Sequence, residues 1–470
     1  MVARGFEQVP GLDYGETFAP VARLTTFRVY VALALELNAT IYHLDVVTAF
    51  LNPKIDEETA IAIPDGIEWL DPLLTQDLTP LSALQLNKAL YGLKQALRLW
   101  YKDIASVLCS LGFAASVADP NLYLSTERAR MILLYVDDIL ICARNNNQPQ
   151  LSQVIQALQS HYEITNLGAV KQYLGIAVNQ AKDSIQLGQS QFVANLPARF
   201  GLQNCNGHTT PLEPGSHSHQ DTVNLSESEQ KTYQSLVGGI MYLMLGTRPD
   251  LAYSISVFSK HIAKLQQHHL GMAKQVLRYL KQTQNQSLTY RHSGTPKVPG
   301  SPITGFRDSD WAGDATDRHS TSGYIFLYGQ TAISWKAKKQ SLIALSTIEA
   351  EYIGASEASK EAIWLRRILY ELLSCLTNPK PGKSALPNAP ITLHIDNQAT
   401  MKLIQNPRFH ERTKHIEIKH HYIRETFENG EIDLQHVFTN NNLADIMTKS
   451  LPATTFWPHL HHMGLQEWTS

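Results

Sequence analysis

The stretch MILLYVDDILICA, residues 131–143, sets two adjacent aspartates, Asp137 and Asp138, inside an otherwise apolar run. A single continuous strand would carry these carboxylates out of water, and an unpaired buried ion costs several kcal/mol. The run reads better as two strands of a hairpin with the acidic pair at its tip. Taken alone, such a tip also fits an exposed turn whose carboxylates are merely solvated. A second apolar run, IYHLDVVTAFL at 41–51, carries a lone acid of its own, Asp45. Both runs read as strands, so three carboxylates can converge on one rim of a sheet. A cluster of that kind stays ionised only beside cations. Two Mg²⁺ ions about 4 Å apart are the usual neutraliser where the chemistry is in-line displacement at phosphorus, here nucleotidyl transfer.

The chain has 470 residues, enough for two or three domains at roughly 150 residues each. Forty basic residues against 42 acidic ones leave a net charge of −2, so no global field announces a nucleic-acid partner and local basic patches must do any binding. Cys109, Cys142, Cys205 and Cys375 form no CxxC pair, which argues against a zinc knuckle or a disulfide framework and fits a reducing compartment. The start MVARGFEQVPGLDYG lacks the apolar core of a signal peptide, and no run reads as a transmembrane helix. A soluble intracellular chain is expected.

Polar stretches rich in Pro, Gly and Ser, QNCNGHTTPLEPGSHSHQD from 203 and HSGTPKVPGSP from 292, suggest boundaries, while NPKPGKSALPNAP from 378 reads as a loop within the last domain. Leu97, Trp100, Tyr101, Ile104 and Leu108 recur at helical spacing, ending near Gly112. Further on, Thr247 and Asp250 are spaced as a capping box with Pro249 in the first turn, and Ser346 with Glu349 repeat that spacing. From ITGFRDSDW onward, strands and helices alternate as in a layered α/β domain.

Four motifs, LDVVTAFLN, LNKALYGLKQALRLWY, LLYVDDILI and LGAVKQYLGIAV, stand in the order and wording of the reverse transcriptases of Ty1/copia-type retrotransposon polyproteins, which this part of the chain resembles. The resemblance implies that Asp45, Asp137 and Asp138 bind the catalytic Mg²⁺ ions, with Mn²⁺ as the substitute. It also implies that Phe50 reads the sugar 2′ position and that Tyr91, Gly92, Leu93, Lys94 and Gln95 form the box beside the incoming nucleotide. Tyr173 to Ile176 resembles the segment gripping the primer. On spacing alone Phe50 is equally a core residue, and Lys94 a solvated turn lysine.

A second set of acids is strung along the last part: Asp308 and Asp310 at one strand end, Glu351 on the capped helix, Asp396 at the end of LHID and Asp445 in LADIM. In that order they can meet on one edge of a mixed sheet and hold two metals that activate water against a phosphodiester. DSDWAGD, STSGY, AISWKAKKQ, ALSTIEAEY, IDNQAT, RTKHIEIKHHYIRE and ADIMTK resemble the RNase H domain that follows the polymerase in the same family, to about residue 451. The resemblance implies a catalytic, metal-binding set of Asp308, Glu351, Asp396 and Asp445. Asp310 is a lesser candidate for the first position, since two residues along a strand return to the same face. Glu349 is explained as a cap partner. His410, His415, His420 and His421 have no cysteine beside them and are not read as a zinc site. Lys336, Lys338 and Lys339 are either a solvated face or a contact to hybrid backbone, which is read by phosphate and 2′-hydroxyl.

The fold implied is an α+β polymerase palm with partial fingers, a mostly helical middle segment and a C-terminal α/β RNase H-like domain with a mixed sheet. Its expected limits are 1–202, 203–300 (linker and thumb- or connection-like helices), 301–451 and a tail at 452–470. The implied partners are an RNA template, a DNA primer, RNA/DNA hybrid and deoxynucleoside triphosphates, with particle proteins and integrase beyond them and no membrane. The implied place is a cytoplasmic particle with nuclear entry. Three features depart from the family pattern: the Lys- and Arg-rich fingers segment would precede MVARGF, Leu97 stands at a usual proline, and Pro53 stands at a usual glycine. Protease and integrase signatures are also absent. A polyprotein fragment is expected, and the alternative is an inactive, N-terminally truncated remnant that only binds nucleic acid or particle proteins.

Overall fold

The computed structural model describes residues 2–469 except 64–82, 126–129, 145–147, 216–222, 262–264, 293–300, 314–316, 378–388 and 407–421. The histidines at 410–421 therefore lie outside the described residues. The chain divides into two units, residues 1–23 with 40–169 and residues 24–39 with 170–470.

The strands of the first unit are β1 (Ala39–Val46), β2 (Ala60–Ala62), β3 (Ala83–Gln85), β4 (Ala114–Ala115), β5 (Leu122–Ser125), β6 (Arg130–Tyr135), β7 (Asp138–Arg144) and β8 (Ile164–Ala169). Six of them form one sheet in the order β4-β5-β6-β7-β1-β8, and β2 pairs only with β3. The run at 131–143 is the hairpin its charges require, with Tyr135 opposite Asp138. Helices Ala96–Ser110 and Gln148–His161 bring Trp100, Ile104, Leu108, Leu151 and Leu158 onto Leu44, Val46, Ile132, Leu134, Ile139 and Ile141 of the sheet. Alternate residues of β6 and β7 thus meet one helical layer, as a period of two dictates. Leu97 and Tyr101 of the expected helical stripe are only half-buried, whereas Leu99 is buried in a smaller cluster with Ala89, Leu90 and Leu93. The stretch 41–51 is not one strand: it leaves the sheet after Val46, passes Thr48 at φ +51° and makes a 3₁₀ turn over Ala49–Leu51.

In the second unit the strands are β9 (Gln172–Tyr173), β10 (Ile176–Gln180), β11 (Ser184–Gly188), β12 (Gln286–Arg291), β13 (Ile303–Asp310), β14 (Thr321–Tyr328), β15 (Thr331–Lys339), β16 (Ile391–Ile395), β17 (Ile432–His436) and β18 (Leu465–Glu467). They make two sheets, β18-β12-β11-β10-β9 and β15-β14-β13-β16-β17. The latter is mixed: β13 to β15 are antiparallel, and β16 runs parallel to both β13 and β17. The cuts expected near 202 and 300 fall inside this unit, because β12 pairs with β11 on one edge and with β18 on the other. For the same reason 452–470 is no loose tail; it contains a helix, Ala453–His462, and β18. Among the described residues no helix is long and apolar enough to cross a membrane.

The capping box expected at Thr247 and Asp250 does not form. Arg248 is buried, and its guanidinium takes both oxygens of Asp250, with Nη2 at 2.7 Å from Oδ2. The Tyr279 hydroxyl donates to the same oxygen at 2.6 Å, and Thr247 donates instead to Gln189 Oε1 at 2.8 Å. A guanidinium out of water needs its counter-charge more than a helix end needs a cap. The box in this region belongs to Ser226 and Glu229, at the start of the helix Glu227–Gly246. Replacing Asp250 with Ala, which strands Arg248, is expected to cost about 3–5 kcal/mol of folding stability. Asp250→Asn should cost less, and thermal unfolding of both variants reads the difference.

Candidate active sites

In the first unit the acidic pair is presented by a two-residue turn, Val136-Asp137, between β6 and β7. Val136 has φ +56°, a conformation that a β-branched residue adopts only under strain. Both turn carbonyls are held: Trp100 Nε1 donates to Val136 O at 2.7 Å, and the Val46 amide donates to Asp137 O at 2.9 Å. The second bond fixes the tip beside the end of β1, one residue from Asp45. A register shift between His43 and Leu44 in the pairing of β1 with β8 breaks the alternation of β1 there. His43 Nε2 lies 2.6 Å from Asp138 Oδ1. Burial raises the Asp137 carboxyl above its ordinary range, and the charges of Asp138 and Asp45 raise it further. All three acids are half-buried. Carboxylate oxygens alone make a hard donor set suited to Mg²⁺.

The neighbouring residues divide between site and scaffold. Phe50 packs on Tyr91 with tilted rings, centroids 4.7 Å apart, and also against both core clusters of this unit. The Tyr91 phenol is pushed up, first by burial and then by the charge of Asp137, so it faces the acidic rim. Gly92 is needed for its backbone: φ is +97°, and a Cβ there would lie 2.1 Å from Ala3 O. Exposed Lys94 reaches the Tyr14 hydroxyl at 3.1 Å, and buried Gln95 donates to Asp13 O at 3.0 Å while accepting from Gln8. Lys94 and Gln95 thus hold the 8–14 segment. In the second unit, Tyr173 and Ile176 are both buried, Tyr173 against Phe27 at 4.7 Å, and Gly175 is exposed in the turn between them.

The second unit brings three of its four expected acids together. Ligand oxygens of Asp308, Asp396 and Asp445 all lie within 4.8 Å of one another. Strand register explains the first two: β13 and β16 are parallel with Phe306 beside His394, so two residues on Asp308 comes beside Asp396. Asp445 arrives on the short helix Asp445–Thr448, which packs on β14 at Gly323, the residue opposite Asp308. A Cβ on Gly323 would lie 2.5 Å from Met447 Cβ, so only glycine admits this approach. Asn442 secures the preceding loop by donating to Arg307 O at 3.0 Å. Asp396 Oδ1 and Asp445 Oδ1 are buried without a hydrogen-bond partner, which a bound divalent cation would supply.

Glu351 is not part of this trio. It is buried and paired with Arg307, whose guanidinium burial lowers to about 10 against the opposing charges of Asp308 and Asp396. Asp310 stays outside it as well, at the end of β13. Glu349 acts as a cap, accepting from the Leu345 amide at 2.7 Å while its own amide donates to Ser346 Oγ. Among the described residues no other three acidic or histidine side chains come this close, so Asp45, Asp137 and Asp138 stand further apart, with Asp138 drawn to His43.

A family profile described as reverse transcriptase (RNA-dependent DNA polymerase) matches residues 1–214. The Retrovirus-related Pol polyprotein from transposon TNT 1-94 of Nicotiana tabacum is 34% identical over 97% of this chain, and that from transposon RE1 of Arabidopsis thaliana is 34% identical over 99% of it. A transposon Ty5-1 protein of Saccharomyces cerevisiae is 31% identical over its whole length and 68% of this chain. The chain belongs to the Ty1/copia-type retrotransposon Pol polyproteins. It spans 33% and 30% of the length of the first two relatives. A solved foamy viral protease-reverse transcriptase in complex with double-stranded DNA covers 87% of this chain and 59% of its own at 15% identity, with a TM-score of 0.45.

In this Pol polyprotein chain, sequence reasoning passed over His43, Arg307, Thr448 and Lys449. Two signals were available: His43 lies two residues before Asp45, and Lys449 lies four after Asp445, a helical neighbour. His43→Ala, which frees Asp138, is expected to change Mn²⁺ affinity at this acidic rim at least tenfold, and His43→Gln, which keeps a donor, should recover most of the parent affinity. The Asp445 carboxyl gives a stability test. Burial, and then the charge of Asp308, raise it from 3.8 to about 7. The folded chain therefore keeps a proton that the unfolded chain releases, and stability falls as pH rises through about 7. In a chelating buffer the unfolding temperature should drop between pH 5 and 8, and Asp445→Asn should flatten that drop.

Proposed function

We propose that this chain is an RNA-directed DNA polymerase that also degrades the RNA strand of RNA/DNA hybrids. What supports the polymerase is the acidic hairpin tip pinned beside Asp45, inside the segment matched to the reverse transcriptase profile. What supports the nuclease is the trio of converging carboxylates.

At the first centre Asp45, Asp137 and Asp138 would hold Mg²⁺, which supplies a lowered pKa at the primer 3′-hydroxyl and a counter-charge for the leaving pyrophosphate. The chain's own part is orientation. The turn presents Asp137, the His43 contact orients Asp138, and the tilted Phe50–Tyr91 pair would lie near the nucleotide sugar if these residues act as the resemblance implies. At the second centre Asp308, Asp396 and Asp445 would hold Mg²⁺ against the hybrid backbone. Glu351 serves there through Arg307, whose buried cation offsets the acids around it.

The test is a paired assay on the purified chain in Mg²⁺, with primer extension on an RNA template and cleavage of RNA in a hybrid. Asp137→Asn with Asp138→Asn should abolish extension at least 100-fold and spare cleavage, and Asp396→Asn should do the reverse. Cleavage without extension would sink the polymerase half. Silence in both, in Mn²⁺ as well as Mg²⁺, would leave a chain that binds nucleic acid without turnover.

A further inference from the structure

The nuclease trio has a cation of its own. Lys449, just beyond the helix Asp445–Thr448, places its ammonium 3.0 Å from Asp445 Oδ2 and 3.6 Å from Asp308 Oδ2. The Thr448 hydroxyl donates to that same Asp308 oxygen. On the other side of the cluster, Asp396 Oδ1 and Asp445 Oδ1 are buried and have no hydrogen-bond partner. The carboxylates thus offer two kinds of oxygen, one kind engaged by Lys449 and Thr448, the other open.

Charge counting gives these two kinds different meanings. With all three acids ionised, the state that binding a metal requires, three carboxylates against one ammonium leave two negative charges, which one divalent ion neutralises. Arg307 does not change the sum, since Glu351 matches it. A monovalent cation in such a place does for two carboxylates part of what a second metal would do.

We propose that Lys449 is a resident cation of the nuclease centre: one divalent ion is taken by the open oxygens of Asp396 and Asp445, whereas a second must displace the ammonium from Asp308 and Asp445. The proposal rests on the reading of this trio as a metal centre. It makes Lys449 a positioning residue that sets how many ions the chain holds before substrate arrives. The phosphate of a bound hybrid would attract the released ammonium and so couple the second ion to substrate.

Mn²⁺ binding to the full chain, followed by the loss of the free-ion EPR signal, tests this in an Asp137→Asn, Asp138→Asn background that removes the other acidic centre. The expected result is one tight ion and a second bound at least tenfold more weakly. Lys449→Met should tighten the second ion at least tenfold and enlarge the rise in unfolding temperature that Mn²⁺ produces, and Lys449→Arg should behave as the parent. Two equally tight ions in the parent, or a second ion no tighter in Lys449→Met, would overturn the proposal. Asp396→Asn separates the two readings. Weakened Mn²⁺ binding there with an unresponsive Lys449→Met sinks the lysine alone, while binding equal to the parent sinks the metal centre and the lysine with it. Should Lys449→Met fold poorly, Lys449→Gln carries the same comparison.

Discussion

Carboxylates held within 4.8 Å of one another repel, so the surrounding chain must supply what keeps Asp308, Asp396 and Asp445 together. The supply is mostly backbone. Parallel pairing of β13 with β16, as far as Phe306 beside His394, brings together the strand ends that carry Asp308 and Asp396. Two glycines then let helices approach β13 and β14. Gly323 admits the helix that brings Asp445, and Gly354, on the long helix Thr347–Thr377, would place a Cβ 2.3 Å from Ser309 Oγ. Close packing on the strand pair makes the site stiff, and stiffness is what an assembly of like charges needs.

Three buried arginines, Arg248, Arg307 and Arg28, show how differently a charge can be kept inside one unit. Arg248 has a carboxylate, a hydroxyl and a backbone carbonyl around it, the complete set that makes a buried ion tolerable. Arg307 has Glu351, but its Nε and Nη2 lack hydrogen-bond partners, a tension consistent with its place against a cluster of acids. Arg28 is held by backbone carbonyls, those of Ile333, Leu245 and Gly246 at 2.6–3.0 Å, and lies 4.0 Å over the Trp335 ring. Burial lowers it to about 10. These bonds tie the helix Leu24–Glu36 to β15 and to the helix Glu227–Gly246, which explains why residues 24–39 belong with the second unit although the first resumes at residue 40.

What could be read from the sequence was whatever depends on near neighbours or on charge in an apolar run. The hairpin at 131–143 was legible because two aspartates cannot sit in mid-strand, and the cap at Ser346 because its partner is three residues away. Interactions made across the fold were not legible in this way. Pairing of β11 with β12 and of β12 with β18 joins residues 100 to 180 positions apart, and no local signal marks it, so boundaries drawn at polar stretches cut through one sheet. The same limit explains Asp250 and Glu351. Asp250 has the spacing of a cap and Glu351 is implied as a metal ligand by the resemblance, and each also pairs with an arginine whose burial becomes visible only in three dimensions. The resemblance implies that Lys94 and Gln95 lie beside the incoming nucleotide; the contacts they make within the fold, to Tyr14, Asp13 and Gln8, reach 80 or more residues back and carry no local signal.

The two acidic centres solve the same electrostatic problem by opposite means. In the trio of Asp308, Asp396 and Asp445 the acids are crowded, Asp308 and Asp445 are buried, and an ammonium and a hydroxyl engage them. In the hairpin the acids are half-exposed and more widely spaced, water screens part of their repulsion, and one of them leans on a histidine. The cost is moved from charge to backbone, since Val136 must take a left-handed conformation so that consecutive aspartates can face the rim rather than opposite sides of a strand. The Trp100 and Val46 hydrogen bonds offset that cost. A strained tip anchored to the core through Trp100 thus holds its carboxylates at the rim by backbone hydrogen bonds, where the other centre holds its acids by close packing.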